Sequence, residues 1–140
     1  MPYSITWYIP DEIVYVRYYG VTTTDELRES LQSTYEMIES SPRHLVHIIS
    51  DVGDITKAVP LAESVKIVRE IGGHPRTGWT ISIRDSSALL KMGSALGSSL
   101  FRLRFRAFDT FDEALSHLKW YDAALSWDKV EDQAHKESGG

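Results

Sequence analysis

Residues 44–50 read HLVHIIS, a short and nearly continuous apolar run. A strand with one wet face alternates apolar with polar residues, whereas a run this uniform suits a strand covered on both faces, as in a parallel sheet flanked by helices. The flanking sequence agrees. Downstream, Leu61, Val65, Val68 and Ile71 recur at helical spacing, opened by Pro60 and closed by Gly72 and Gly73. WTISI at 79–83 alternates as a strand, and Leu89, Met92, Leu96 and Leu100 trace a further helix interrupted by Gly93 and Gly97. RLRFRAF at 102–108 alternates strictly, with Arg102, Arg104 and Arg106 on one face, as expected of a strand near a sheet edge. A last helix begins at Thr110, with Glu113 three residues on, and turns Ala114, Leu115, Leu118, Tyr121 and Leu125 inward.

Upstream, YSITWYI at 3–9 and IVYVRYY at 13–19 are rich in β-branched and aromatic residues and are separated by Pro10-Asp11-Glu12, so the chain opens with a hairpin. Thr23 with Glu26 forms a capping box ahead of a helix that carries Leu27, Leu31, Tyr35 and Ile38 at its apolar spacing. The whole predicts one α/β domain over 1–130: an N-terminal β-hairpin followed by βα units, with helices packed on a mostly parallel sheet. The tail over 131–140 has too little apolar content to order itself.

Composition limits function. The chain has 140 residues, of which 42% are hydrophobic, enough for one core and too few for two ordinary domains. Fifteen Lys and Arg against twenty Asp and Glu give a net charge of −5, which disfavours nucleic acid and anionic membrane surfaces as partners. There is no cysteine, so disulfides, thiolate metal sites and a Cys nucleophile are excluded. The opening MPYSITWYIP lacks a basic leader, and no stretch approaches the roughly 18 apolar residues of a membrane span, so a cytoplasmic protein is expected. The histidines show no His-Glu-x-x-His spacing, and neither GGHPRTGW nor GSALG has a phosphate-binding pattern, so no metal or cofactor is expected.

The order of elements from about Tyr3 to Leu125 resembles the STAS domain, the fold of anti-sigma-factor antagonists typified by stage II sporulation protein AA. The residues that carry the resemblance are RHLVHIISD at 43–51, VKIVREIGG at 65–73 and RFRAFDTFDEALSHL at 104–118. The resemblance implies a non-catalytic regulatory or protein-binding module whose phosphorylatable turn follows the strand built on HLVHIIS. The family's Asp-Ser-Ser-Gly motif is absent there. The switch position falls instead on Asp51, Asp54, Thr56 and Lys57, and Thr56 is its hydroxyl residue.

The sequence does contain Asp85-Ser86-Ser87, but one strand and helix later. A cap of the following helix explains those residues, because a hydrolase serine needs a strained elbow and a nearby His with its orienting acid. His74 is the one exposed candidate for acid/base work and lies at the other end of the sheet from Ser86. In open parallel sheets, ligands gather outside the carboxyl ends of the strands, which points to Asp51, Asp54, Thr56 and Lys57, to Arg84, Asp85, Ser86 and Ser87, and to Asp109 and Thr110. Trp7, Tyr8, Tyr15, Tyr18 and Tyr19 suit core and sheet surface, or alternatively a pocket for a lipid or other apolar small molecule. Trp120, Tyr121 and Trp127 fall where the last helix leaves the core and suggest a homo-oligomer contact. The readings left are a regulatory module with a protein partner, a small-molecule carrier, and an unrecognised hydrolase.

Overall fold

A computed structural model of the chain describes residues 3–72, 74–84 and 105–130. The elements are β1 (Tyr3–Ile9), β2 (Ile13–Val21), α1 (Thr24–Ser40), β3 (Val46–Lys57), α2 (Leu61–Ile71), β4 (Thr77–Ile83), β5 (Phe105–Phe108) and α3 (Phe111–Tyr121), followed by a 3-10 turn at Trp127–Lys129. One five-stranded sheet has the order β1-β2-β3-β4-β5. β1 pairs antiparallel with β2 in the register Ile5↔Val16. The remaining pairs are parallel, with Ile49 opposite Ile81 and Ser82 opposite Ala107. The protein is therefore a mixed α/β domain with a hairpin at one edge and β5 at the other. Asp11, at φ 66°, turns the hairpin, and the Glu12 amide donates to the Ile9 carbonyl at 3.0 Å.

Alternation along β2 and β3 sends their residues into two cores. Ile13, Tyr15 and Ile49 join Trp79, Ile81 and Ile83 of β4 beneath Ala114 and Leu118 of α3. Val14, Val16, Tyr18, Val46 and Ile48 face the other way and pack with Ile38 of α1. The Val46–Ile49 part of HLVHIIS is thus buried between two layers, while His44 and Leu45 precede the strand. Each fully buried Ile or Val contributes about 1.5–3 kcal/mol of transfer free energy. Tyr8 and Tyr15 set their rings edge-on to Phe111, with centroids 5.2 and 5.6 Å away, and belong to the core. Among the described residues no helix is long and apolar enough to cross a membrane.

The helices begin where their caps place them. In α1, the Glu26 amide donates to Thr23 Oγ1 at 3.2 Å and the Thr23 amide to Glu26 Oε1 at 2.9 Å, completing the capping box. The buried stripe of α1 is only in part the one that the apolar spacing predicts: Ile38 is buried as expected, but with Ser30 and Thr34, while Leu27, Leu31 and Tyr35 flank them half-buried. Small hydroxyl residues let this helix sit close to the sheet, and each hydroxyl is satisfied. Ser30 Oγ lies 2.7 Å from the Tyr18 hydroxyl and donates to the Leu27 carbonyl at 2.8 Å, and Thr34 donates to the Ser30 carbonyl at 2.7 Å. In α2, Ile67 and Val68 are buried, and Gly72 at φ 75° ends the helix.

A second correction concerns the segment expected to form a switch loop. Asp51, Asp54, Thr56 and Lys57 all lie within β3, which runs on to Lys57 against an equally extended β2. Arg17 faces Asp51 and Tyr19 faces Asp54, so β3 advances three residues for two of β2, and a further residue slips in between Ile55 and Lys57. Such bulges break the two-residue period, which is why DVGDITK does not look like a strand. The expected helix on Leu89, Met92, Leu96 and Leu100, the arginines at 102 and 104, Asp85, Ser86, Ser87, Gly73, the side chains of Leu61 and Val65, and the tail 131–140 lie outside the described residues.

Candidate functional site

The carboxyl ends of β2, β3 and β4 converge on a cluster of Tyr15, Arg17, Asp51, Asp54 and Arg84. Asp51 is fully buried. Its Oδ2 accepts the Tyr15 hydroxyl at 2.9 Å, and its Oδ1 accepts the Gly53 amide at 3.1 Å and Arg84 Nε at 2.9 Å. Asp54 Oδ2 accepts Arg17 Nη2 and Arg84 Nη2, each at 2.8 Å. The bulges in β3 make this arrangement possible, because they bring Asp51 and Asp54, three residues apart, to the same side of the sheet. Arg84 leaves β4 at φ 56°, and a Cβ on Gly53 would come within 2.6 Å of Arg84 Cβ, so glycine is required there.

Two arginines and two aspartates neutralise one another. The bonds from Arg17 and then Arg84 hold the Asp54 carboxyl below its ordinary value, and the bond to Asp51 leads the causes that raise Arg84. Asp51 is held through both oxygens and Asp54 through Oδ2, so the cluster fixes the shape of the strand ends and leaves their rim exposed. That rim is the exposed end of the two strands: Tyr19 and Val21 from β2, Thr56 and Lys57 from β3. Val21 stands opposite Lys57, and the Thr22 amide donates to the Lys57 carbonyl at 2.9 Å.

Of the residues singled out from sequence, the structure brings together Asp51, Asp54 and Arg84. Asp109 is exposed, and Thr110 caps α3, where its hydroxyl accepts the Glu113 amide at 3.2 Å and donates to Glu113 Oε1 at 3.0 Å. His74 is tied down, its Nε2 lying 2.6 Å from Glu39 and its Nδ1 accepting the Arg76 amide at 3.1 Å. Trp120 is 82% exposed on α3. Tyr121 is 42% exposed while its ring stands edge-on to Trp79 at 5.2 Å, and Trp127 is half-buried against the core. Arg106, on the edge strand, lies over the Trp79 ring at 5.7 Å.

Arg17 and Tyr15 were not legible as site residues, since both sit in a stretch that reads as hydrophobic hairpin. A second polar cluster, at the opposite end of β2 and β3, was missed altogether. His47 is fully buried in the strand, and its Nδ1 accepts the Trp79 amide at 2.9 Å while its Nε2 lies 2.9 Å from Asp122. An Nδ1 that accepts leaves the proton on Nε2, so the ring is neutral and donates to Asp122. Burial, set against the attraction of Asp122, lowers its pKa. A register break in β4, between the Val46↔Thr77 and Ile48↔Thr80 pairs, frees the Trp79 amide for this bond, and a Cβ on Gly78 would collide with the imidazole. Arg43 pairs with Asp122 at 3.3 Å and with Glu12 at 3.5 Å, and Glu12 accepts the Ser126 amide at 2.6 Å. Leu125, buried in the core, completes a strap over that end.

No family model matches this chain, and no curated protein matches it.

Proposed function

We propose that the chain is a non-catalytic regulatory module of STAS-like type that binds a protein partner through the rim formed by the ends of β2 and β3. One observation carries this: Tyr19 and Val21, 36% and 54% exposed, stand beside exposed Thr56 and Lys57 on a base that Asp51, Asp54, Arg17 and Arg84 make rigid and neutral. Apolar side chains set among polar ones on a firm support are a common form of protein contact. Thr56 is the residue at which a phosphate would act, adding about −1.5 to −2 charges next to Lys57 and changing what the rim can bind. The hairpin at the sheet edge and the strand order support the STAS-like assignment.

The experiment is affinity capture from the native host with the wild-type chain and with a Val21→Asp/Thr56→Glu double variant of unchanged circular dichroism. A protein held by the wild type and lost by the variant is the expected result, and unchanged capture or none overturns the proposal. A native mass spectrum with a stoichiometric small-molecule adduct would put the carrier reading in its place.

A further inference from the structure

We propose that the outer face of α3 joins two copies of this chain about a two-fold axis, with the two helices antiparallel and crossing at Ser116. This contact is separate from the rim proposed above and does not depend on it. Asp112, Ser116 and Trp120 are spaced four residues apart and so stand in one row, with Glu113 and Lys119 beside them, and all five are exposed. Ala114 and Leu118, on the opposite side of the helix, are buried. The row is therefore the face that the fold leaves uncovered.

That face is complementary to itself when reversed. Beside it runs an open groove of about 480 Å³ lined by Phe108, Asp112, Glu113, Ser116, His117 and Trp120. In an antiparallel pair centred on position 116, residue 120 of one helix lies against residues 112 and 113 of the other, and residue 119 against 112. Trp120 of the partner subunit then enters the groove, with its indole N–H directed to carboxylates, and Lys119 of the partner subunit meets Asp112. The helix is acidic at its start and carries Lys119 at its end, so reversal sets opposite charges together at both ends, as an isologous contact requires.

Local details favour this occupant. Ser116 is small at the crossing point and admits a close approach. His117 lines the groove and is held edge-on to Trp79 with ring centroids 4.5 Å apart, a fixed aromatic wall for the entering indole. Burial lowers the His117 pKa, with Arg106 adding to the effect, so its ring does not repel Lys119. In the single chain Lys119 lies 4.9 Å over the Trp127 ring, and the dimer exchanges that contact for an ion pair. Two Trp side chains at about 150–250 Å² each supply roughly a third of the smallest standard interface, about 1,200 Å², so this dimer dissociates on dilution.

Sedimentation velocity of the full chain, from micromolar to sub-millimolar concentration, tests the proposal. The wild type should shift from monomer to dimer, and Trp120→Ala should weaken association at least about thirty-fold, the effect of an interface hot spot. Asp112→Lys and Lys119→Glu should each weaken it, and the double variant should recover most of the loss. Unchanged circular dichroism checks the fold of each. A wild type that stays monomeric, a Trp120→Ala chain that dimerises like the wild type, single charge reversals without effect, or a double reversal without recovery each overturns the proposal.

Discussion

The two ends of β2 and β3 solve the same problem in different ways. Both place charged and polar side chains on the face that lies under α3, His47 at the start of β3 and Asp51 four residues on. At the His47 end, Asp122, Leu125 and Ser126 close over the cluster, and the imidazole and Asp122 are respectively 0% and 16% exposed. At the Asp51 end only that carboxylate is enclosed, and Arg84 and Asp54 are each 36% exposed. One end is a buried hydrogen-bond network, costly to break and sensitive to protons. The other is an ion cluster half in water, cheaper to break and sensitive to salt.

The largest effect should come from the closed end. His47→Ala strands the Trp79 amide, takes one donor from the Asp122 carboxylate and opens a cavity, and should lower stability by about 3 kcal/mol in urea unfolding. The same variant tests the pH response. Since the folded-state pKa of His47 is depressed, the unfolded chain binds the extra proton first. Its contribution is full above the ordinary histidine value of about 6.5 and is lost as pH falls through the folded value. Asp122 acts in the same direction: burial alone would raise its carboxyl, but the bonds from His47 and Ala124 outweigh that and hold it low. Unfolding curves between neutral and mildly acidic pH should slope for the wild type and flatten for His47→Ala; an equal slope would show that the His47 end does not sense protons.

At the open end, Asp51→Asn keeps the shape but removes the charge facing Arg84, and should cost about 2 kcal/mol by the same measurement. A loss larger than that of His47→Ala would reverse the ranking of the two ends. The smallest effect belongs to Arg17→Ala, because Arg84 still holds Asp54 and the pair is part-exposed; it should cost less than about 1 kcal/mol, and less still in high salt. Salt-independent destabilisation would mean that Arg17 acts by packing its stem and not by its charge.

Features set by local sequence were readable. Thr23 with Glu26 and Thr110 with Glu113 mark the starts of α1 and α3, and Pro10-Asp11-Glu12 marks the hairpin, because caps and turns depend on residues within a few positions. The end of β3 was not readable, since its partner strand, and not its own periodicity, keeps VGDITK extended through the bulges. The stripe of α1 was misread because Ser30 and Thr34 count as polar until Tyr18 and the helix carbonyls satisfy them. Asp51, Asp54 and Arg84 could be placed at one end of the sheet by the rule for parallel strands, but nothing local shows that Arg17 joins them. The His47 cluster lay furthest from view, as His47 and Asp122 are 75 residues apart in sequence.

The order of strands in the sheet repeats their order in the chain. During synthesis each strand can therefore dock on a neighbour already made, and the sheet can grow from the hairpin outward as the chain leaves the ribosome. The strap is the exception. The Ser126 amide reaches back 114 residues to Glu12, so the His47 end stays open to water until the segment that follows α3 has emerged. A chain truncated before Asp122 would carry all five strands with an unsealed seam, and closing that seam is the last docking step of the described elements.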